Sequence, residues 1–322
     1  MTASALRADG GCRVCRRCSL VSYDPCFRCG RYCRDTRYVS GGSRACNQCA
    51  SELGACASCG GLLLPGHRCE GCARRGHVWN YTYKPDPRFH GEGPLFLGLE
   101  LEIVVPEYRF EDCARTATDQ LGRLGYLKRD SSIRPCGFEL VTHPMSYRFA
   151  LEGFPWRLLG TLAERGCVAD ESVGLHVHVS RTGFDSPAHV YRWMKLLYRN
   201  EPEVVSLARR RSHYAPFDDR ARAKAREAAK GPVHALGLDR YQAINPHPRH
   251  TLELRVFASS LEPGEVKAAL AFAAASVEYT RGLRIPEVRA GGWGWGRFAE
   301  WVAARPEYLP LTMQMEDLAC AC

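Results

Sequence analysis

Twelve cysteines lie between Cys12 and Cys72, and ten of them form CxxC pairs: Cys12/Cys15, Cys26/Cys29, Cys46/Cys49, Cys56/Cys59 and Cys69/Cys72. Cys18 and Cys33 complete the dozen. A two-residue spacing lets both thiolates of a tight turn reach one tetrahedral ion, so the pattern predicts zinc. The opening residues, MTASALRADGG, contain no apolar leader, and no secretory signal is expected. In a reducing compartment clustered thiols favour metal over disulfides, which makes the expected location cytoplasmic. The longest uncharged apolar run, AALAFAAASV, has ten residues. A bilayer span needs about 20, so no membrane partner is expected.

Twelve thiols suffice for three zinc sites of four. Cys56, Cys59, Cys69 and Cys72 make a compact ribbon-like set, with His67 able to replace a thiol. The other eight divide in more than one way, because Cys12/Cys15 and Cys15/Cys18 share the same spacing. The expected sets are Cys12, Cys15, Cys26 and Cys29, then Cys18, Cys33, Cys46 and Cys49; a cross-braced arrangement fits equally well. Residues 1–80 hold 12 Lys and Arg against 5 Asp and Glu, a surplus of +7 within a chain total of +9. That surplus allows a nucleic-acid partner. Each zinc held by four thiolates carries a net −2, however, so the arginines balance their own metal centres well. A metal-stapled docking module is at least as good a reading, since so short a segment buries little apolar surface and needs metal to fold.

Residues 1–76 therefore read as a zinc-ribbon or zinc-knuckle module and residues 77–94, with prolines at 85, 87 and 94, as a linker. The pattern then changes. LFLGLELEIVV is a strand in which Glu100 and Glu102 share one face and Leu99, Leu101 and Ile103 the other. GLHVHVS sets His176, His178 and Ser180 opposite Leu175, Val177 and Val179. TLELRVF sets Glu253 and Arg255 opposite Leu252, Leu254 and Val256, and CGFELVTH adds Glu139. Helical periodicity is expected over Glu111–Leu124, Tyr147–Arg165, Pro187–Arg210, Arg220–Lys230 and Pro263–Gly282. The prediction is an α+β domain over residues 95–310, an antiparallel sheet with helices on one face and ionisable groups on the other, and a tail from 311 to 322. Clustered carboxylates repel unless cations compensate, and hard divalent ions prefer carboxylate oxygen.

GLELE, DSSI with GFELVTHP, GLHVHVS and RYQAINPHPRHTLELRVF occur in an order that resembles the motif series of the amidoligases, members of the glutamine synthetase-like carboxylate–amine ligases. The resemblance covers roughly residues 95–285 and excludes the cysteine-rich segment. It implies a glutamine synthetase-like sheet, ATP, and Mg²⁺ or Mn²⁺ held by Glu100, Glu102, Glu139, His176 and Glu253. It further implies that Arg255 and Arg249 hold phosphate or a substrate carboxylate, and that His178 and Ser180 order the nucleotide. Asp130 would deprotonate or orient the amine; its alternative is a turn residue bonding its own backbone.

The implied reaction is amide, peptide or isopeptide formation through an acyl phosphate, on a small molecule, peptide or protein. An amidase or deconjugase on the same scaffold is the second enzymatic reading, and a non-enzymatic zinc-finger binding protein is the third. No P-loop motif is present, which this superfamily does not use. GGWGWGRF, Gly291–Phe298, reads as a flap or as an irregular loop with buried tryptophans. Cys113, Cys136 and Cys167 read as small core residues, and Cys320 and Cys322 carry no reading.

Overall fold

The computed structural model describes residues 6–8, 11–14, 23–39, 43–56, 61–64, 76–231 and 236–320. The chain divides into two compact units, Met1–Pro87 and Arg88–Cys322. Their boundary falls inside the proline-bearing segment expected as a linker.

In the first unit the described residues form short antiparallel pairings. Asp24–Pro25 pairs with Tyr32–Cys33, and Thr36–Val39 pairs with Ser43–Cys46, which leads into a single helical turn, Asn47–Ala50. A small core of Cys26, Cys33, Val39, Ala45 and Leu62 lies beneath. Burial on this scale is too slight to hold so short a segment unaided.

The second unit is mixed α and β. Six of its strands are β1 (Leu97–Val104), β2 (Gly125–Lys128), β3 (Gly137–Thr142), β4 (Gly174–Ser180), β5 (Ile244–Asn245) and β6 (Thr251–Ala258), and they lie in the order β5-β6-β4-β1-β3-β2. Every neighbouring pair is antiparallel. The period of two fixes what each face carries. Leu97, Leu99, Leu101, Ile103, Val177, Val179, Leu252 and Leu254 are all fully buried on one face. Helices α1 (Phe110–Leu121), α5 (Glu201–Ala208) and α6 (Pro263–Gly282) pack against the strands. The alanine-rich α6 is buried on nearly every side, its small side chains letting neighbouring elements approach closely.

Three expected helices are interrupted. The stretch from Tyr147 becomes α2 (Tyr147–Gly153) and α3 (Arg157–Glu164), split at Pro155, which offers no N–H and disfavours helix in the residue before it. The stretch from Pro187 becomes α4 (Pro187–Arg199) and α5, broken just ahead of Pro202. The stretch from Arg220 is two short turns, Asp219–Ala223 and Ala225–Ala228. The stretch from Gly291 to Phe298 is not irregular throughout, because it runs into α7 (Trp295–Ala303). The Gly292 carbonyl accepts from Tyr279 and the Trp293 carbonyl from Asn200, while both tryptophans are only half-buried and Phe298 is fully buried. The expected tail is instead α8 (Leu309–Cys320), packed on α6 with Leu311 buried. Cys113 and Cys167 are buried with their sulfurs 3.6 Å apart, whereas Cys136 is half-buried. Among the described residues no helix is long and apolar enough to cross a membrane.

Candidate functional site

The antiparallel register carries the polar residues of separate motifs into one patch on the other face of the sheet. Glu100 on β1 stands opposite His176 on β4, Glu102 opposite Glu139 on β3, and His178 opposite Glu253 on β6. Directly paired residues on antiparallel strands have Cβ atoms about 4.5–5.5 Å apart, so six side chains from four strands must meet. A register shift adds to this. Between Leu175 and Val177 the partner strand supplies two residues, Arg255 and Val256, against His176 alone. A bulge of this kind re-aims side chains, and here it lies at Arg255.

The resulting contacts are close. His176 Nδ1 is 3.6 Å from Glu100 Oε2 and 3.6 Å from Glu253 Oε1, and His176 Nε2 is 4.0 Å from Glu102 Oε1. His178 Nε2 is 3.3 Å from Glu100 Oε1, and its Nδ1 is 2.9 Å from the Thr251 hydroxyl. Glu102, Glu139, His176 and Glu253 are 6%, 5%, 4% and 5% exposed. Each glutamate has a cationic or polar neighbour. Gly174 N donates to Glu102 at 2.6 Å, Lys128 Nζ lies 3.3 Å from Glu139, and Glu253 accepts from Asn245 Nδ2 at 2.7 Å and from Arg255.

The electrostatics follow from that crowding. Burial pushes the Glu100 carboxyl up, but the charges of His178 and His176 outweigh it and hold the group well below the usual carboxylate range. Burial, reinforced by the charge of Glu100, pushes Glu139 up to about 8 against the pull of Lys128. For His178 burial works against the charged form, yet Glu100 raises it to about 9. The cluster is short of positive charge.

Three groups on this face bring ligand atoms within 4.8 Å of one another: Glu100, His178 and Glu253; Glu100, Glu139 and His176; and Glu102, Asp130 and Glu139. His176 Nδ1 and His178 Nε2 are buried and make no hydrogen bond. A divalent cation among these carboxylates would take the place of the proton they draw onto the imidazoles, since neutral imidazole and carboxylate oxygen are its ordinary ligands. His178 therefore belongs among the candidate ligands as fully as His176.

Other expected site residues are engaged elsewhere. Ser180 accepts from Phe96 N at 2.9 Å and donates to the Pro94 carbonyl at 3.3 Å, so its hydroxyl is spent on backbone. Asp130 Oδ1 accepts from both the Ser132 N–H and hydroxyl at 2.7 Å, the local turn bond. It nevertheless stands close to Glu102 and Glu139. Arg249 is half-buried in the connection between β5 and β6. Lys128, Asn245 and Arg210 escaped the sequence reading. Lys128 and Asn245 become visible only with the register, where they stand opposite Glu139 and Glu253.

In the first unit, Cys26, Cys29, Cys46 and Cys49 form a group able to hold a metal ion. This replaces the expected split, in which the two pairs served different ions. The backbone explains the change: Phe27 N donates to Arg44 O at 2.8 Å, drawing the turn after Cys26 onto the strand that ends at Cys46. Cys46 then caps the helical turn carrying Cys49, whose N–H points at Cys46 Sγ at 3.4 Å. Cys29 and Cys46 sulfurs are 3.9 Å apart, against about 3.8 Å for two thiolates on a tetrahedral ion with 2.3 Å bonds. Burial opposes ionisation of Cys26, but N–H groups of Cys29, Cys46 and Arg28 lower its thiol to about 6. Cys49, hydrogen-bonded to Cys46, is pushed up to about 12. Cys33 lies in the small core with its thiol toward the Arg31 carbonyl and is no member of the group. Cys12 is exposed and Cys56 half-buried. The expected ligands Cys15, Cys18, Cys59, Cys69 and Cys72, with His67, lie outside the described residues.

Compared with known proteins, the chain matches no protein-family model and no curated sequence.

Proposed function

We propose that residues 88–322 form an ATP-dependent carboxylate–amine ligase of the glutamine synthetase-like type, joining a carboxylate to an amine through an acyl phosphate. The observation that carries the reading is the meeting of Glu100, Glu102, Glu139, His176, His178 and Glu253 on one sheet face, with two imidazole nitrogens unspent. A face so short of positive charge suits divalent cations together with an anionic co-substrate. The resemblance of the four motifs to amidoligases supplies the reaction class.

Each residue has a physical task on this reading. Glu100, Glu102, Glu139, Glu253, His176 and His178 would hold Mg²⁺ or Mn²⁺, which neutralise phosphate charge and align its transfer. Arg255 keeps one guanidinium nitrogen, Nε, free of any hydrogen bond while another grips Glu253. It is thereby fixed in direction and still able to receive an oxyanion. Asp130, its Oδ1 held by Ser132, would offer Oδ2 to orient the amine. For the first unit, the four-cysteine group is proposed to hold zinc as a structural ion.

Incubation of the full chain with ATP, Mg²⁺ and pooled amino acids and polyamines tests the reaction class. The expected result is phosphate release that depends on the pool, with new masses equal to a condensed pair less water. ATP-independent loss of amide from added peptides, with no phosphate release, would overturn the ligase reading in favour of hydrolysis.

A further inference from the structure

Arg210 belongs to no motif read from the sequence, yet it is only 8% exposed. It follows Arg209, a non-glycine residue at φ 54° that closes α5 in the left-handed conformation. Such a backbone is costly for an ordinary side chain and persists where its surroundings hold it. Here the holding contact is Arg209 with Glu265. The turn sends the next residue, Arg210, inward. Its guanidinium lies over Gly174: a Cβ placed there would stand 2.5 Å from Arg210 Nη1 and 2.8 Å from His176 Nε2. Gly174 is also the residue whose N–H binds Glu102. Arg210 thus reaches the edge of the carboxylate cluster from α5, a side from which no strand contributes.

Arg210 is poorly satisfied for a buried cation. Among the described residues its one hydrogen bond is from Nε to the Glu171 carbonyl at 3.2 Å. Neither terminal nitrogen is hydrogen-bonded among the described residues, and Nη1 lies over Gly174 beside His176. Burial lowers its affinity for a proton, Glu102 is near enough to attract it, and Arg255 near enough to repel it. Arg210, whose Nη1 lies with His176 Nε2 over Gly174, and Arg255, whose partner Glu253 is 3.6 Å from His176 Nδ1, flank one imidazole with N–H donors unspent, and such donors fit an oxyanion.

Resting on the ligase reading, we propose that Arg210 and Arg255 together clamp the terminal phosphoryl group of the nucleotide. A phosphoryl group suits the place better than a carboxylate. Both arginines adjoin carboxylates of the candidate metal groups, Glu102 and Glu253. A carboxylate has two oxygens, which a single fork consumes, whereas a phosphoryl group has three to share between cations and guanidiniums. Arg255 would supply the fixed fork and Arg210 the second charge from the opposite element.

Calorimetry on the full chain at saturating Mg²⁺, with ATP and with ADP as probes, tests this. Wild type is expected to bind ATP at least about tenfold more tightly than ADP. Arg210→Met should remove most of that preference and leave ADP affinity within about threefold. Arg210→Lys, which keeps the charge but not the fork, should recover only part of it. The thermal midpoint of Arg210→Met should not fall, because one long hydrogen bond is all the fold loses. A wild-type ATP preference in Arg210→Met overturns the clamp and leaves the ligase reading standing. Equal weakening of both nucleotides in a folded variant also overturns it, marking Arg210 as a residue that positions the carboxylates. If Arg210→Met does not fold, Arg210→Lys decides by the same two comparisons. Failure of wild type to bind either nucleotide overturns the ligase reading and the clamp with it.

Discussion

At the residue scale, the sheet face separates groups that carry charge from groups that carry shape. Glu102→Gln keeps an oxygen for the Gly174 N–H, so the fold should survive. Its metal affinity should not. Added Mg²⁺ or Mn²⁺ is expected to raise the thermal midpoint of wild type and to leave that of Glu102→Gln unmoved; equal shifts in both would remove Glu102 from the ligands. Arg255→Lys makes the complementary test. The Arg255–Glu253 pair is largely buried, and lysine retains its charge. On the proposed ligase reading the variant should fold and bind nucleotide yet lose on the order of 100-fold in turnover, as for a lost electrostatic stabiliser of the transition state. Unchanged turnover would make the pair purely structural. The identities of these residues were legible in the sequence, because the period of two set Glu100, Glu102, His176, His178 and Glu253 apart from the apolar positions. Arg210 was not, since a lone arginine ending a helix has no pattern to mark it.

At the element scale, a titrating group stands just past the end of β3. His143 is buried beside Tyr126 and His90, and burial, with the charges of Arg88 and His90, lowers it to about 4 from an ordinary 6.5. The unfolded chain therefore binds a proton at pH values where the folded one does not. That contribution to stability is complete above about pH 6.5 and is lost as pH falls toward 4. The urea midpoint of wild type should drop between pH 7 and pH 5 by more than that of His143→Gln. Equal drops would show that His143 is not the group being charged. The helices show the limits of local reading in another way. Proline marked each major break in the sequence itself, at Pro155 and Pro202, but the apolar period ran on through both and masked them.

At the scale of the whole molecule, the two units differ in what keeps them folded. The second has a continuous apolar layer between sheet and helices. Among its described residues the first has a handful of small buried residues and four converging thiols. Chelation should therefore unfold part of the first unit while leaving the cooperative transition of the second in place, as seen by calorimetry. Cys46→Ser should release about one zinc per chain by metal analysis, and Cys33→Ala none. Loss of about one zinc from each of Cys33→Ala and Cys46→Ser would restore the pairing suggested by spacing alone, which puts both thiols on one ion.

Composition and periodicity by themselves determined that thiols crowd one end of this chain and that four strands each divide an apolar face from an ionisable one. Both are local properties, fixed by residue spacing and by the geometry of a strand. Which thiols converge was decided by the fold, where a backbone hydrogen bond runs from Phe27 to Arg44. Which carboxylates meet which imidazoles was decided by register, where a shift of one residue would have turned every pair away. Arg210 entered the site through the left-handed turn at Arg209 and the ion pair that holds it. These contacts join residues far apart in the chain, and their energies exist only once the strands and helices are packed.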